Sequence, residues 1–380
     1  MKNIGVVGGG LLGRLTSWRL LQAGCDVTLF EAGSLSVCPG AARTAAAMIS
    51  PLSEVVDSER LIYDMGMAGL ALWPAWNRQL QRPISYSERG SLVLAHTQDA
   101  SQLTQFAAKL QHHLGDQCGS DYEWLEQSQI ARLESDLSHF HRALYLRTEA
   151  HLDNHALLDQ LLADIQALGG RTLEHTPVQS LQAHRVDTQH QSLSFDEVID
   201  CRGVGAKPDI KDLRGVRGEV LWVQTPELEL QRPVRFMHPR YKLYVVPKPN
   251  QQFIIGATEI ESEDRSPISL RSHLELSSAL YALNPAFAEA RVVMTDVNLR
   301  PSLMDNRPRL ERQPGLVRAN GLYRHGYLLA PAVVECILAE VLELEASVFT
   351  SHITRGISTS LKRSPSNQKP SPSNREHSLC

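Results

Sequence analysis

The chain has 380 residues, of which 42% are hydrophobic and 21% are charged, and its formal net charge is −4 at pH 7. This balance excludes a disordered or fibrous protein, and the length favours two domains rather than one. The near-neutral charge gives no basis for binding nucleic acid. No apolar run predicts a membrane span and no signal-peptide pattern follows the start, so we expect a cytoplasmic protein without a membrane partner.

The cysteines and histidines do not form a metal-binding or disulfide pattern. The six cysteines, none of them in a Cys-x-x-Cys pair, are Cys25, Cys38, Cys118, Cys201, Cys336 and Cys380. In a cytoplasmic protein of this size such cysteines are typically reduced and buried. We therefore expect free thiols and no metal site.

The N-terminal stretch carries the most specific pattern of the chain. An apolar run at 2–7 leads into Gly8-Gly9-Gly10-Leu11-Leu12-Gly13, and a helical stretch at 14–22 follows. A second apolar run at 25–30 then ends at Glu31. Strand, Gly-x-Gly-x-x-Gly turn, helix, strand and acid in this order are typical of a dinucleotide-binding βαβ unit.

Each part of this motif has a physical role. Gly8 allows the tight turn, Gly10 lets the backbone approach a pyrophosphate, and Gly13 lets the helix pack against the strand. The N–H groups at the helix N-terminus favour phosphates. Glu31 can accept hydrogen bonds from ribose hydroxyls, and an acid at this position disfavours NADP. The motif alone leaves FAD and NAD open.

Hydrophobic periodicity predicts an order of elements that changes along the chain. Helices are predicted at 58–81, 100–114, 126–134, 151–168, 272–281 and 330–345. Strands are predicted at 90–95, 171–174, 178–181, 197–201, 219–223, 243–247, 253–257 and 291–299. The small residues at 39–51 either pack as a tight helix or let the backbone approach a ligand. An α/β start, a β-rich middle and a closing helix indicate a nucleotide-binding domain with an inserted antiparallel sheet.

The end of the chain has a different composition. Residues 358–380 are rich in Ser, Pro, Asn and Lys and contain few apolar side chains. Such a segment cannot bury enough surface to offset its ordering entropy. We predict that 347–380 is a disordered tail, passive in the favoured interpretation and a docking segment in the alternative.

Three later segments, together with the glycine motif, resemble one family. They are Leu243-Tyr244-Val245-Val246-Pro247-Lys248 with the strand at 253–259, Leu299-Arg300-Pro301-Ser302, and the run at 320–332 that contains Tyr323-Arg324-His325-Gly326. In this order they are similar to the D-amino-acid oxidase superfamily of flavoproteins, and most similar to glycine oxidase of the ThiO type. The resemblance covers about residues 1–345.

The resemblance implies an α/β fold: a Rossmann-like FAD-binding domain with an inserted, mostly antiparallel β-sheet substrate domain. It places 1–82, 145–214 and 299–346 in the FAD-binding domain, and 83–144 and 215–298 in the substrate domain. It further implies FAD bound non-covalently. The implied cofactor-binding residues are Gly8, Gly10, Leu11, Leu12, Gly13, Glu31, Ala32, Arg43, Thr44, Ala45, Ala46, Ala47, Met48, Val178, Cys201, Arg202, Gly203, Arg300, Tyr323, Arg324, His325, Gly326, Tyr327 and Leu328.

The chemistry implied by the resemblance is oxidation of a small amine or amino acid such as glycine, sarcosine or a D-amino acid. The substrate gives a hydride from Cα to flavin N5 and becomes an imine, and oxygen, the expected acceptor, becomes hydrogen peroxide. Arg300 is expected to pair with the substrate carboxylate, because a guanidinium matches a carboxylate with two parallel bonds. Tyr244 is expected to line the same pocket, and Arg324 to stabilise the anionic reduced ring.

Two segments depart from the pattern of glycine oxidases and keep other functions open. The run at 302–312 is unusually basic and lacks the usual glycine, and 200–205 replaces the more common Ala-Ala-Gly-Ala. The first alternative is a flavoprotein that oxidises a partner protein during maturation of a protein-derived quinone cofactor. The second is a non-catalytic FAD-binding scaffold. The oligomeric state stays open.

Overall fold

The computed structural model describes residues 1–37, 39–115, 121–238 and 242–357. The strands, in chain order, are β1 (Asn3–Val7), β2 (Asp26–Phe30), β3 (Met48–Ile49), β4 (Tyr86–Ser87), β5 (Ser91–Leu94), β6 (Tyr122–Glu126), β7 (Arg142–Leu146), β8 (Ala150–Leu152), β9 (Arg171–Leu173), β10 (Val178–Gln182), β11 (Arg185–Thr188), β12 (Ser192–Ser194), β13 (Glu197–Asp200), β14 (Arg214–Gln224), β15 (Val234–Met237), β16 (Lys242–Lys248), β17 (Gln252–Gly256), β18 (Arg291–Ser302), β19 (Arg309–Gln313), β20 (Leu316–Asn320) and β21 (Thr354–Gly356). The helices are α1 (Leu11–Gln22), α2 (Ala41–Thr44), α3 (Pro51–Val55), α4 (Arg60–Gln79), α5 (Ala100–Leu114), α6 (Gln127–Leu133), α7 (Asn154–Ala167), α8 (Leu270–Leu283), α9 (Gly326–Leu342) and α10 (Thr350–Ile353).

The first large sheet has the strand order β21-β19-β20-β13-β1-β2-β9. β1 pairs in parallel with both β2 and β13. Its residues are apolar because both faces of the sheet are covered: Ile4 and Val6 pack in the core with helices α1, α4, α7 and α9, and Val7 packs on the other side with Phe195 near the small sheet β10-β11-β12. The carboxyl ends of β1, β2 and β13 therefore meet at one edge, where ligands of open parallel sheets bind.

The second large sheet has the order β18-β14-β17-β16-β15-β5-β7-β6, with β15 and β5 parallel and the other pairs antiparallel. One face packs on α8 through Leu276 and Leu280. The opposite face, which carries Val220 and Val246, packs on Ala46. The alternation of strand side chains thus points one face of this sheet at the 41–48 segment and the edge of the first sheet.

These two sheets confirm the predicted fold class. The predicted helix at 100–114 coincides with α5, whereas the closing helix begins at 326 instead of 330 and ends at 342 instead of 345. Strands β7, β15 and β19 were missed because each is only four or five residues long, too short for a clear periodicity. The division into two domains stays a prediction, but three strands cross its boundaries: β7 starts in one predicted domain and ends in the other, β14 begins at residue 214, and β18 runs past residue 298.

The predicted start of the disordered tail at 347 is wrong. Residues 350–353 form α10, and β21 at 354–356 adds a strand to the first sheet by pairing in parallel with β19. Ile353 is buried in the core, and this contact offsets the ordering entropy. Residues 358–380, together with Cys38, Cys118 and Cys380, lie outside the described residues. The described cysteines Cys25, Cys201 and Cys336 are free thiols and buried.

The expectation that no segment could span a membrane also needs correction. Among the described residues, one helical stretch at 323–342 is long and apolar enough by length and composition. Of its most apolar window, 78% is buried inside the protein. It contains α9, which packs against α1 and α4. Its apolar character follows from this central position, because a helix covered on all sides is apolar all round.

Candidate active site

The glycine turn joins β1 to the N-terminus of α1 by close backbone packing. Gly8 has a φ of +109°, and a Cβ on it would lie 2.5 Å from the carbonyl oxygen of Cys201. A Cβ on Gly13 would lie 1.8 Å from the carbonyl oxygen of Gly8. A Cβ on Gly10 would meet no atom within 4 Å, so this residue faces open space. The N-terminus of α1 is therefore accessible to an anionic group.

Glu31 follows β2 at the same edge of the sheet. Its Oε2 accepts a hydrogen bond from the Gly9 N–H at 2.7 Å, and its Oε1 accepts one from the Gly33 N–H at 2.9 Å. The carboxylate thus holds the turn and still borders the cavity described next. This is the place where a ribose-binding acid was predicted.

A cavity of about 570 Å³ runs from the glycine turn to the face of the second sheet. This volume lies within the usual range for small-molecule sites. Most of the predicted site residues line it, namely Gly8, Gly10, Leu11, Leu12, Glu31, Thr44, Ala45, Ala46, Ala47, Met48, Cys201, Arg202, Gly203, Tyr244, Arg300, Tyr323, Arg324, His325, Gly326, Tyr327 and Leu328. Segments far apart in sequence therefore border one space.

Four of the predicted cofactor residues do not line the cavity: Gly13, Ala32, Arg43 and Val178. Gly13 acts in helix packing, and Ala32 is exposed. The Arg43 side chain points to Asp159, at an Nη1–Oδ1 distance of 3.3 Å. Val178 lies in β10 and packs in the core on the other side of the first sheet.

The small residues at 41–48 form α2 and an extended segment that borders the cavity with backbone. Tyr327 donates its hydroxyl hydrogen to Ala42 O at 2.9 Å, and Thr44 donates to Asp296 Oδ2 at 2.6 Å. Lys248 Nζ on β16 donates to Ala46 O at 2.9 Å. Burial lowers the pKa of Lys248 to about 7. Contacts from the closing helix and from the second sheet thus hold this segment.

Arg300 on β18 lies half-buried across the second sheet. Its Nη2 donates to Thr258 O at 3.0 Å and its Nη1 to Arg217 O at 3.3 Å. A Cβ on Gly218 would lie 2.6 Å from its Cζ, so a glycine is needed on the neighbouring strand β14. Within the described residues Arg300 has no carboxylate partner, in contrast to Arg235 and Arg324 of the same cavity.

Tyr244, like Arg300, packs over a glycine of the neighbouring strand. It faces Gly256 across the β16–β17 pair, and a Cβ there would lie 2.7 Å from the tyrosine hydroxyl oxygen. Burial raises the pKa of Tyr244 although Arg300 and Arg235 oppose this. The hydroxyl therefore keeps its proton and can donate a hydrogen bond into the cavity.

Glu54 on α3 is the main residue of the cavity that the sequence analysis missed. Its Oε1 lies 2.6 Å from Arg235 Nη2, and its Oε2 lies 2.9 Å from Arg324 Nε and 3.1 Å from His325 Nδ1. Burial alone would raise the pKa of Glu54, but Arg324, Arg235 and His325 hold it well below its ordinary value. A single acid within the apolar run at 48–56 was the signal available in the sequence.

Arg324 and Tyr323 share a second carboxylate. Arg324 Nη1 lies 3.4 Å from Glu259 Oε2, and the Tyr323 hydroxyl donates to Glu259 Oε1. The neighbouring carboxylates raise the pKa of Arg324. Its guanidinium is thus fixed between Glu54 and Glu259 beside the N-terminus of α9.

Arg202 and Cys201 border the cavity after β13, but their polar atoms are engaged or inert. Arg202 Nε donates to Asp200 Oδ1 at 2.9 Å, and its Nη2 donates to Asp209 Oδ2 at 2.5 Å. Burial raises the pKa of the Cys201 thiol. Both residues shape the wall of the cavity rather than supply a free charge or a thiolate.

A sequence profile of the family described as FAD dependent oxidoreductase matches residues 3–340. The chain belongs to this family of FAD-dependent oxidoreductases. A protein from Rhizobium etli named thiamine biosynthesis oxidoreductase ThiO is 39% identical over 329 residues, covering 86% of this chain and 93% of the relative. Glycine oxidase from Geobacillus kaustophilus is 26% identical over 368 residues, covering 91% and 94%.

Solved structures of this FAD-dependent oxidoreductase fold superpose over nearly the whole chain. Glycine oxidase from Geobacillus kaustophilus has a TM-score of 0.80 at 25% identity, covering 91% of this chain and 96% of that one. Iminodiacetate oxidase from Chelativorans sp. also has a TM-score of 0.80, at 21% identity, and covers 93% and 99%. The resemblance predicted from the motifs is confirmed, and the cofactor is FAD.

The residues of the cavity fit an FAD molecule. The open N-terminus of α1 offers N–H groups for a diphosphate, and Glu31 lies where a ribose would be bound. Residues 45–48 and the N-terminus of α9 also border the cavity. Arg300 and Tyr244 of the second sheet line the same cavity.

Proposed function

We propose that this enzyme oxidises small amino acids or amines that carry one carboxylate, of the glycine, sarcosine or D-amino-acid class. The observation that carries this proposal is Arg300, a half-buried guanidinium that lines the cavity without a carboxylate partner within the described residues. The name of one relative, glycine oxidase, supports the same class.

The protein's part in this reaction is to bind and orient the substrate. Arg300 holds the carboxylate with its planar pair of donors, and the protonated Tyr244 hydroxyl supplies a further hydrogen bond. When bound, FAD would supply the two-electron oxidant: it would take the Cα hydrogen as hydride, and loss of one N–H proton to solvent would leave the neutral imine. Two contacts on one carboxylate fix the direction of the Cα–H bond, and such positioning supplies much of the rate enhancement.

The glycine turn, Glu31, the 45–48 backbone and the 323–328 segment would hold the cofactor. Arg324 is held beside the N-terminus of α9 by two carboxylates. A fixed guanidinium and a helix N-terminus both favour negative charge at this end of the cavity. We infer that they stabilise the reduced form of the cofactor, as predicted for Arg324.

Substitution of Arg300 tests the proposal. We expect Arg300→Ala to lower kcat/KM for glycine, sarcosine or a D-amino acid about 10²-fold or more, mainly through KM, because charge-assisted hydrogen bonds are lost. Peroxide release measures turnover and also tests oxygen as the acceptor. Arg265→Ala removes an exposed arginine at the same cavity and serves as the matched control. Unchanged kinetics in Arg300→Ala would remove this residue from the site.

A screen of free amino acids separates this function from oxidation of a partner protein. We expect turnover within the usual range of about 1 to 10³ s⁻¹ for at least one substrate. The basic run at 302–312 was one feature that favoured a protein substrate. Its arginines Arg307, Arg309 and Arg312 pair with Glu59, Asp212 and Glu197 of this chain. The arginines of this run are therefore paired within the chain and do not form an unmatched cationic surface for a protein substrate.

A further inference from the structure

The Glu54 carboxylate lies at the meeting point of three cationic or protonatable side chains from distant parts of the chain. Arg235 comes from β15, and Arg324 and His325 come from the turn before α9. The N–O distances are 2.6 Å to Arg235, 2.9 Å to Arg324 and 3.1 Å to His325. The Glu54 side chain is only 12% exposed, so this anion is enclosed by its partners.

This cluster borders the place where the substrate is proposed to bind. Arg235 lies directly opposite Tyr244 across the β15–β16 pair, so both side chains are on one face of the sheet and are neighbours. Glu54, Arg235 and Arg324 all line the same cavity as Arg300. A second anionic group on a substrate held by Arg300 and Tyr244 would therefore point toward Arg235 and Arg324.

Among the buried and half-buried arginines at this end of the cavity, one lacks a carboxylate partner within the described residues. Arg235 and Arg324 share Glu54, and Arg324 also contacts Glu259. Arg300 has only carbonyl partners within the described residues. Arg265 also lines the cavity, but its side chain is exposed, so water screens its charge. The desolvated part of this end thus offers one uncompensated cation for one substrate carboxylate. A second carboxylate would meet Glu54 instead of a free guanidinium, and like charges at a desolvated site repel strongly.

The following inference rests on the proposed function. We propose that Glu54 determines substrate specificity by occupying an anion-binding site formed by Arg235, Arg324 and His325. The carboxylate of the protein takes the position that a second carboxylate of the substrate would need. The enzyme is thereby restricted to substrates with a single carboxylate, and dicarboxylates such as iminodiacetate, D-aspartate and D-glutamate are excluded.

Kinetics of the FAD-loaded enzyme test this proposal. In the wild type, kcat/KM for dicarboxylates should be at least about tenfold below that for glycine or sarcosine. Glu54→Gln keeps the shape and removes the charge, which frees Arg235 and leaves Arg324 paired with Glu259 alone. The ratio of dicarboxylate to monocarboxylate kcat/KM should then rise about tenfold or more. If kcat/KM fell equally for dicarboxylates and monocarboxylates, Glu54 would only stabilise the fold. That result would overturn the proposal.

Glu149 supplies the matched control. It is a buried glutamate whose Oε1 accepts from Ser53 N–H at 2.7 Å, and it does not line the cavity. Burial raises its pKa although Arg235 opposes this, so Glu149 acts on the same cation without occupying the cavity. Glu149→Gln should leave the dicarboxylate-to-monocarboxylate ratio at the wild-type value. If Glu149→Gln raised this ratio as much as Glu54→Gln does, the effect would come from the loss of any buried negative charge. That result would contradict a specific role of Glu54.

Binding of unreactive acids gives a readout that does not need turnover. Malonate or succinate should bind Glu54→Gln about tenfold more tightly than the wild type, and acetate should not gain, as measured by thermal shift. If Glu54→Gln does not fold, the wild type still decides: binding of malonate as tight as that of acetate contradicts the proposal. Failure of the wild type to oxidise any amino acid would instead contradict the proposed function.

Discussion

The two ends of the cavity are built in different ways. The glycine-turn end, formed by residues 8–13 and Glu31, consists of backbone N–H groups and missing side chains within one short stretch. The arginine end, formed by Arg235, Arg300 and Arg324, consists of long side chains from separate elements, arranged by strand register and paired carboxylates. A backbone site tolerates little added volume, whereas a side-chain site depends on charge balance. Substitutions at the two ends should therefore fail in different ways.

The largest effect is expected at the glycine turn. Gly13→Ala places a Cβ 1.8 Å from the carbonyl oxygen of Gly8 and forces α1 away from β1. We expect a loss of about 3 kcal/mol or more in the free energy of unfolding, measured by urea denaturation without FAD.

Gly10→Ala is the control at the same turn. Its Cβ would meet no atom within 4 Å, so stability should change by less than about 1 kcal/mol while the affinity for FAD falls. Equal destabilisation by both substitutions would show that the turn is not divided into a packing glycine and a ligand-facing glycine.

The next largest effect is expected from a glycine at the arginine end. Gly218→Ala places a Cβ 2.6 Å from Arg300 Cζ and displaces the guanidinium without removing its charge. We expect kcat/KM for carboxylate substrates to fall about 10²-fold with unchanged FAD content, because small misplacements of binding groups cost this much.

Gly215→Ala, on the same strand, is the comparison for Gly218→Ala. Its Cβ would contact Leu299 at 3.0 Å rather than a charged group. We expect a change in stability and no change in substrate affinity. If Gly218→Ala binds substrate as the wild type does, Arg300 does not act from its observed position.

Lys248 joins β16 to the 41–48 segment and to β8, and its effect should depend on pH. Burial lowers its pKa from an ordinary 10.5 to about 7, and it donates to Ala46 O and Leu152 O. Between about pH 7 and 10.5 the unfolded chain binds a proton that the folded chain has lost, so folding becomes more favourable as pH rises.

Urea denaturation at several pH values tests this linkage. The stability of the wild type relative to Lys248→Met should increase by about 3 kcal/mol from pH 7 to pH 10. A difference between the two proteins that does not vary with pH would contradict an amine buried in the folded state.

The smallest effect is expected at the rim of the cavity. Lys109 Nζ lies 2.9 Å from Asp57 Oδ1, and the Lys109 side chain is 53% exposed. Exposed ion pairs contribute little because water and salt screen them, so Lys109→Ala should change the free energy of unfolding by less than about 1 kcal/mol. A large loss of kcat/KM in this variant would extend the charge-dependent site from the arginine end to the rim.

The fold and the glycine-turn end were largely predictable from sequence. The motif at 8–13 was readable because its parts are neighbours in the chain, and each glycine reports a local backbone need. Helix α5 was predicted to the residue because its apolar spacing is regular. Strands β7, β15 and β19 were not predicted, because pairing with distant strands decides them more than local pattern does.

The arginine end was only partly predictable. Arg300, Tyr244 and Arg324 were found by resemblance, and all three line the cavity. Their roles stay predictions. Arg235 and Glu54 were missed because neither lies in a motif; strand register and the packing of α3 bring them together. Arg43 and Val178 were predicted at the cavity, and neither lines it. The Arg43 side chain points to Asp159, and Val178, predicted to act through its backbone, lies in β10.

By itself the sequence determined the βαβ unit, the acid at its end and a dinucleotide as the class of cofactor. These depend on spacing within short segments, where local geometry follows directly from residue type. FAD and the candidate carboxylate-binding residues followed from the resemblance to a family. Only the tertiary structure decided which arginines have a carboxylate partner, and that Glu54 lies between two of them. Charge pairing is a property of distances between residues far apart in the chain, and the packing of the two sheets sets those distances.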